Sequence, residues 1–462
     1  MNAVAVWIFL PLAAGGALLP LAARRRMAAG AAAGLAVVLA LAASVTPIEQ
    51  PVALFGRTLL LSGSWDFFGR HIVLTDAARP WLVWLYGGAF LWMMGARWVE
   101  TSPFLPSAAL LSLPLWIAAL AVQPFVYAPA FLFFGVLAWV PALTWERRDP
   151  GGRVLRFLTL QLLALPLLLV IGWMLAGVET LAGQEALALR AGVLTAIGVS
   201  FLLGVFPFHV WYPSLAGGGR VYAAGMLLTL LPWGGLLLGL RLLDTYAWLR
   251  EAPFAPVYLR SAGMTTLLSA ALLALLETRL GRLWGYALMA ETGMALLAAA
   301  VYPSQGLRLF SAAAWPHLLA GVLGAFALAR LRTARGGLDF PALEGAARAF
   351  PLEAAGALVA LFSLAGYPLL AAFPLRMALW RVYGAFSPLW GAAYMAGMAG
   401  MMGAGLRTLA VLATGEAAER QFPSRWVQAF LLLNALLLLG SGVFFRLVFP
   451  LLEKLGRIFP QL

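Results

Sequence analysis

Cysteine is absent from this chain, and histidine occurs only at His71, His209 and His317. Without cysteine the chain forms no disulfide bond, carries no thiol nucleophile and offers no thiolate to a metal ion. The three histidines never occur four residues apart, so no helical turn presents a histidine pair to a haem or a binuclear metal centre. We therefore expect no metal site and no bound cofactor.

The familiar phosphate-binding and dinucleotide-binding glycine motifs are also missing. The glycine run at 217–219 follows a long apolar segment and not a short strand, which is the wrong context for such a motif. No nucleophile stands beside a general base in any recognisable pattern. We expect the chain not to be catalytic alone, and any redox or nucleotide chemistry would need another subunit.

Charged residues are scarce, at 11% of 462 residues, whereas hydrophobic residues make up 63% and the mean hydropathy is +0.91. This composition is typical of a polytopic membrane protein. A helix needs about 20 residues to cross the hydrocarbon core. Apolar runs predict about fourteen spans, near 3–22, 27–46, 80–96, 104–122, 124–145, 154–176, 189–207, 221–242, 261–278, 283–302, 308–330, 350–373, 387–411 and 426–450.

The net charge of +13 does not indicate nucleic-acid binding, because the thirty arginines and the single Lys454 are scattered over many loops. Loop arginines are typical of membrane topology, and the side that holds Arg24–Arg26 has the larger share. If that side is cytoplasmic, both termini lie outside, in a multi-pass protein of the inner (cytoplasmic) membrane. Residues 1–22 lack a basic start and a cleavage site, so they predict a retained span.

Two apolar segments are each interrupted by a glycine and a proline at corresponding places in the chain. They are Leu202–Trp211, interrupted at Gly204 and Pro207, and Ser363–Phe373, interrupted at Gly366 and Pro368. Paired broken helices are the best sequence pointer to an ion or substrate path in a transporter built on inverted repeats.

Three ordered stretches carry a family resemblance: 204–243, 274–298 and 358–379. The first contains a Pro-Phe-His-x-Trp-x-Pro motif. The second resembles Gln-x-x-Leu-Lys-Arg-Leu-x-Ala-Tyr-Ser-Ser, and the third Ser-Leu-x-Gly-x-Pro-Pro-x-x-Gly-Phe-x-x-Lys with Arg376 at the lysine position. Together they resemble the antiporter-like membrane subunits of respiratory complex I (NADH-quinone oxidoreductase, M- or N-type), shared with multisubunit cation/proton antiporters and membrane-bound hydrogenases.

The resemblance implies an all-α polytopic membrane protein with about 14 transmembrane helices and two inverted five-helix repeats, each with a broken helix. We expect a single membrane domain over 1–462. Its parts would be N-terminal helices in 1–103 with an outer hairpin near 47–79, a first repeat at 104–243, a second at 261–411, and a last helix and tail at 426–462.

In the family, a membrane glutamate and several lysines carry protons, but this chain replaces most of them. The glutamate position falls near Leu137, and the lysine positions fall at Leu202, at Trp233 and near Val322. Leucine, tryptophan and valine cannot exchange a proton, and arginine stays protonated, so Arg376 would be a poor relay.

Four membrane residues remain as candidates for an ion path. His209 either relays a proton or bonds carbonyls freed by Pro207; His317 either relays a proton or serves packing and capping. Glu291 is a functional candidate because acidic residues at membrane depth are costly. Its alternative is a structural pair with Arg282 or with a neighbouring helix. Arg376 could hold a water or a carboxylate.

The charges at Glu277 and Arg282 are expected either to fix topology at the membrane interface or to line an entrance. Two functions stay open. The chain takes part in proton or cation translocation coupled to electron transfer in other subunits, or it is a non-conducting scaffold or a subunit of another ion or inorganic-carbon transporter. Its partners would be lipid and other membrane subunits of a complex, with no nucleic acid.

Overall fold

The computed structural model describes residues 2–54, 57–67, 69–145, 152–178, 185–301, 304–415 and 419–462. These residues form a nearly all-helical bundle with two small antiparallel sheets at its side. The all-α prediction therefore holds for the membrane part, and the strands are confined to connections.

The helices follow one another with short connections. In the first half they are α1 Leu10–Ala17, α2 Arg25–Val45, α3 Arg79–Gly95, α4 Leu105–Ala121, α5 Ala128–Leu137, α6 Val140–Thr144, α7 Arg153–Val178, α8 Glu185–Leu203, α9 Trp211–Ala216, α10 Val221–Thr245 and α11 Ala247–Arg250. In the second half they are α12 Phe254–Leu276, α13 Leu280–Ala299, α14 Ser304–Arg335, α15 Phe340–Leu343, α16 Ala346–Ala349, α17 Pro351–Ala365, α18 Phe373–Phe386, α19 Pro388–Ala413, α20 Arg425–Val443 and α21 Phe445–Glu453.

Within the described ranges, nine helical segments are long and apolar enough to cross a membrane, or ten if the bent pair 340–349 and 351–365 counts as one span. The sequence predicted about fourteen. Several predicted spans correspond to helices that are short for a full crossing, such as the apolar segments Ala5–Ala17 and Leu105–Ala121. The chain is a multi-pass membrane protein, and the higher count stays a prediction.

Helix α13 occupies the centre of the bundle and packs against α9, α10, α12, α14 and α17. Every residue of α13 except Arg282 is buried. Its contact with α12 is very close, because a Cβ added at Gly293 would lie 2.8 Å from the Gly263 carbonyl oxygen. Small residues allow helices in lipid to approach in this way. The carboxylate of Glu291 on α13 is therefore enclosed by protein.

The strands lie in the connection after α2 and in the loop after α4. Strands β1 (Pro51–Leu54) and β2 (Arg57–Leu60) pair antiparallel where the sequence predicted a hairpin, although Gly56 itself is outside the described residues. A second sheet has the order β3–β4–β5, formed by Ser64–Phe67, Arg70–Val73 and Val122–Gln123. β3 and β4 lie within the predicted hairpin region 47–79, whereas β5 was not predicted, because it is only two residues long.

Candidate functional site

A buried ion pair joins α13 to α18 at the centre of the bundle. The Arg376 guanidinium donates through Nη2 to Glu291 Oε1 and to the Leu364 carbonyl oxygen, the latter at 3.2 Å. The side chains of Arg376 and Glu291 are 2% and 4% exposed. Two charges at this depth are costly unless they are paired and hydrogen-bonded. The arginine therefore neutralises the carboxylate and fixes its position.

His317 on α14 is the third member of this site. Its Nδ1 lies 3.8 Å from Glu291 Oε2, and its Nε2 lies 2.9 Å from the Thr229 carbonyl oxygen of α10. A carbonyl only accepts, so Nε2 carries the proton in that bond. In the neutral imidazole, Nδ1 is then a free acceptor that faces the carboxylate. A proton on Glu291 Oε2 would thus have a nearby base.

Aromatic and sulfur-containing side chains enclose the three polar groups. The Trp233 ring lies 5.2 Å from the His317 ring and stacks on Phe310 at 4.8 Å. On the other side the Tyr394 hydroxyl lies beside Arg376 and 3.9 Å from the Met294 sulfur. This lining gives a low local dielectric, in which each charge interaction is stronger than in water.

Several buried polar atoms around the site lack a hydrogen-bond partner among the described residues. They are His317 Nδ1, Thr229 Oγ1, Ser363 Oγ, Arg376 Nε and Trp233 Nε1. Most buried polar groups in folded proteins are satisfied, so a local group of exceptions calls for an explanation. Arg376 Nε and Trp233 Nε1 can donate a hydrogen bond to a water molecule, His317 Nδ1 can accept one, and the two hydroxyl groups can do either.

The second helix break provides the acceptor for Arg376. Helix α17 ends at Ala365, and Gly366 follows with φ +78°, the left-handed conformation that favours glycine. The last carbonyls of a helix have no intrahelical partner, and that end carries a partial negative charge. The Leu364 carbonyl is one of them, so the break itself helps to hold the guanidinium.

The first break has the same local geometry. Helix α8 ends at Leu203, and Gly204 follows with φ +63°. In both breaks the residue after the glycine donates its N–H to the carbonyl five residues earlier, at 3.0 and 2.9 Å, in the pairs Val205–Ser200 and Tyr367–Phe362. Both helices therefore end in the cap expected of a glycine terminator.

Tyr212 connects the first break to the same central helix. Its hydroxyl donates to the freed Leu203 carbonyl at 3.0 Å and lies 2.8 Å from Thr292 Oγ1. Thr292 is the chain neighbour of Glu291, so the two breaks reach α13 at adjacent positions. Tyr212 and Thr292 were not predicted from the sequence; the tyrosine inside the Pro-Phe-His-x-Trp-Tyr-Pro stretch was the only available signal.

The predicted site residues thus separate into two groups. Glu291, His317 and Arg376 meet, whereas His209 lies apart with its ring 5.3 Å from Phe206 and 6.3 Å from Tyr286. Its buried Nδ1 has no partner among the described residues. Pro207 and Pro368 lie in the connections after the two helix ends, outside any α-helix.

Arg282 is not the partner of Glu291. It pairs with Glu277, with Arg282 Nε 3.1 Å from Glu277 Oε2, and its side chain is 41% exposed. Arg407 also binds at this end of α12, because its guanidinium donates to the carbonyl oxygens of Leu275 and Glu277. The carboxylate that pairs with Arg282 is therefore that of Glu277, just before α13 begins. The prediction that Arg282 pairs with Glu291 was wrong.

The positions at which the family has titratable residues are apolar here. Leu202, Trp233 and Val322 are buried, and Leu137 is partly exposed on the side of the bundle. Within the described ranges no group of three or more histidine, aspartate or glutamate side chains could hold a metal ion. Glu291 and His317 lie at other positions, and Glu353 is a further buried carboxylate.

Comparison with known proteins agrees with this architecture. The family described as NADH:quinone oxidoreductase/Mrp antiporter, TM matches residues 155–402, more than half of the chain. NADH-quinone oxidoreductase subunit N 2 of Acidobacterium capsulatum is 29% identical over 41% of this chain, and subunit N of Desulfovibrio desulfuricans is 32% identical over 41%. The chain matches only 40% and 39% of the length of these two relatives.

Solved structures match over nearly the whole chain. A chain of an archaeal membrane-bound sulfane sulfur reductase has a TM-score of 0.79 at 16% identity, covering 99% of this chain and 98% of that one. Chains of the Mrp complex from Dietzia sp. and of respiratory complex I from Thermus thermophilus have TM-scores of 0.78 and 0.75, at 16% and 21% identity. These cover 99% of this chain and 97% and 99% of theirs, respectively. The fold is shared, and the chain belongs to the NADH:quinone oxidoreductase/Mrp antiporter transmembrane family.

Proposed function

We propose that this chain is an antiporter-like subunit in the membrane arm of a complex I-type or related assembly. It takes part in proton or cation translocation coupled to electron transfer that other subunits perform. One observation carries the proposal: the buried Glu291 carboxylate lies between a fixed cation, Arg376, and the Nδ1 atom of a buried histidine, His317. Ionisable groups inside a membrane protein are expensive, and they typically mark ion pathways.

The proposed proton step is a transfer between Glu291 and His317. Once Glu291 has taken up a proton on Oε2, the Nδ1 atom of neutral His317 can accept that proton after a small approach or through one water, because Nε2 keeps its own hydrogen on the Thr229 carbonyl. The transfer leaves an ionised Glu291 and a positively charged His317. Arg376 does not exchange a proton itself. Its role is to keep the carboxylate in place and to favour the ionised form after the proton has left.

We also propose more membrane crossings than the nine long apolar helices that the described residues contain. The chain has about fourteen crossings of the cytoplasmic membrane, with both termini on the outer side, and two inverted repeats at 104–243 and 261–411. Support comes from the matching glycine caps at Gly204 and Gly366. Further support is that each break contacts α13, through Tyr212 in one case and Arg376 in the other. The other membrane subunits named in the related assemblies are the proposed partners.

His209 and the Glu277–Arg282 pair are proposed as outer parts of the path. His209 is half-buried beside the first break, and the pair lies where α12 meets α13 at the end of the bundle. In this proposal His209 and Glu277 exchange protons with water, and Arg282 holds the Glu277 carboxylate. Their contacts do not include the Glu291 site, so any connection would need water molecules between them.

A non-conducting scaffold is the second candidate, and one observation favours it. Trp233 stands at a position where the family has a lysine, and it is buried against His317 and Phe310. The Trp233 ring, which belongs to α10, fills volume beside His317 that a chain of water molecules leading away from His317 would need. In that case the Glu291–Arg376 pair holds the bundle together and moves no ion.

A glutamine at Glu291 separates the two candidates. The assembly, or the purified full chain, is reconstituted in liposomes with a pH-sensitive dye, and a membrane potential is imposed. We expect Glu291→Gln to slow proton uptake by about tenfold or more, since the relay loses its titratable group. The matched control is Glu353→Gln, which alters another buried glutamate, 2% exposed and 3.3 Å from Arg330.

Unchanged flux in Glu291→Gln, with the assembly intact, would show that the chain is a scaffold. An equal loss in both variants would show that the effect comes from broken buried ion pairs and not from the relay. Loss in Glu291→Gln alone supports translocation through this site.

A further inference from the structure

A cavity of about 420 Å³ opens at one end of the bundle, and its described lining includes no residue of the Glu291 site. Helices α2 and α20 begin there, and α3 and α14 end there. Its described lining contains four arginines and one carboxylate, namely Arg25, Arg26, Arg97, Arg330 and Glu100. Nothing in proton translocation through α13 requires this concentration of positive charge.

Most of these arginines are not neutralised by the protein. Arg25, Arg26 and Arg97 are exposed, and their guanidinium groups make no hydrogen bond or ion pair with the residues that the structure describes. Arg330 pairs with Glu353, with Arg330 Nη2 3.3 Å from Glu353 Oε1, yet its buried Nε has no partner among the described residues. Like charges at close range repel, so such a set is stable mainly when an anion lies among them.

Two helix N-termini add to the positive potential. Arg24 and Ser424, which precede α2 and α20, make no side-chain cap bond, and neither helix has an acidic residue in its first turn. The free N–H groups and the dipole at such an end favour an anion. Arginine also binds phosphate oxygens through two parallel N–H groups. The cavity therefore fits a phosphate group.

Apolar side chains continue from the cavity along the same two helices. Both α2 and α20 lie in segments long and apolar enough to cross the membrane. Their large exposed apolar side chains include Met27, Val38 and Leu41 on α2 and Leu432, Leu433 and Leu436 on α20. A ligand with a phosphate in the cavity could thus extend hydrocarbon chains along the helices.

We propose that this cavity binds the headgroup of an anionic phospholipid, with its acyl chains along α2 and α20. The arginines and the two helix ends hold the phosphate, and the Trp98 ring lines the same cavity. Tryptophan is enriched at the level of lipid headgroups in membrane proteins. A net negative lipid is favoured over a zwitterionic one, because the choline or ethanolamine cation would face the arginines.

The test measures lipid-dependent stability of the purified full chain in a neutral detergent. Thermal unfolding is followed against increasing short-chain phosphatidylglycerol, short-chain phosphatidylcholine or inorganic phosphate. We expect stabilisation by phosphatidylglycerol alone, and an apparent affinity about tenfold or more weaker in Arg25→Gln/Arg26→Gln/Arg97→Gln. The control is Arg381→Gln/Arg446→Gln, which removes two exposed arginines that do not line the cavity.

Three outcomes would overturn the proposal. Equal stabilisation by inorganic phosphate would assign the cavity to a free anion. An unchanged phosphatidylglycerol affinity in the cavity variant would show that the lipid binds elsewhere. If that variant keeps its lipid affinity but loses partner subunits during purification, the arginines bind an acidic protein segment.

Discussion

Replacing Arg376 by leucine is expected to lower the free energy of unfolding by about 3–5 kcal/mol. The substitution leaves Glu291, 4% exposed, without its cation in the centre of the bundle. An uncompensated carboxylate at that depth either stays charged at a high cost or takes up a proton. Both responses weaken the contact between α13 and α18. The measurement is thermal or denaturant unfolding of the purified chain in detergent.

The matched control is Arg381→Leu, five residues later on the same helix α18, where the side chain is exposed. We expect a change within about 0.5 kcal/mol there, as for most surface substitutions. The double variant Glu291→Leu/Arg376→Leu should recover much of the loss, since replacing both members of a buried pair is often neutral. A double variant that is no more stable than Arg376→Leu would contradict the pairing.

The breaks were predictable because their signal is local. A glycine that ends a helix in the left-handed conformation and a proline shortly after it can both be read from Gly204, Pro207, Gly366 and Pro368. The motifs around them also predicted the family, which the match over residues 155–402 confirms.

The contacts of the site were not predictable from the sequence. Glu291 and Arg376 are 85 residues apart, and their meeting depends on how α13, α17 and α18 pack. The sequence suggested Arg282 as a nearer partner. Residues nine apart on a helix are separated by about two and a half turns, however, so their side chains lie on opposite faces. Tyr212 and Thr292 were missed for the same reason, since neither is charged and their contact spans 80 residues.

The two breaks have different chemical partners on one helix. At the first break, the Tyr212 hydroxyl contacts the Thr292 hydroxyl of α13, and both groups are neutral. At the second, the Arg376 guanidinium contacts the Glu291 carboxylate of α13, and both groups are charged. A neutral contact changes little when a proton moves, whereas the charged contact depends on the protonation of Glu291. Any response of the bundle to proton transfer should therefore begin at the second break.

Gly366→Ala is expected to cost about 2–4 kcal/mol of stability and to disturb the site at the same time. With φ at +78°, alanine would be strained, and its Cβ would lie 2.6 Å from Arg376 Cγ. The arginine has to move, and with it the group that fixes Glu291. Unfolding in detergent measures the first effect, and proton flux in liposomes measures the second.

Gly384→Ala is the matched control, because Gly384 lies in α18 and a Cβ there would meet nothing within 4 Å. Alanine is the better helix former, so we expect no loss of stability. The cost of Gly366→Ala should fall in an Arg376→Ala background, since the closest contact disappears with Cγ and leaves backbone strain with the looser contacts to Met398 Cε at 3.2 Å and to the Cβ at position 376 at 3.3 Å. An equal cost in both backgrounds would mean that the glycine serves the chain turn alone, and that the break does not hold the arginine against Glu291.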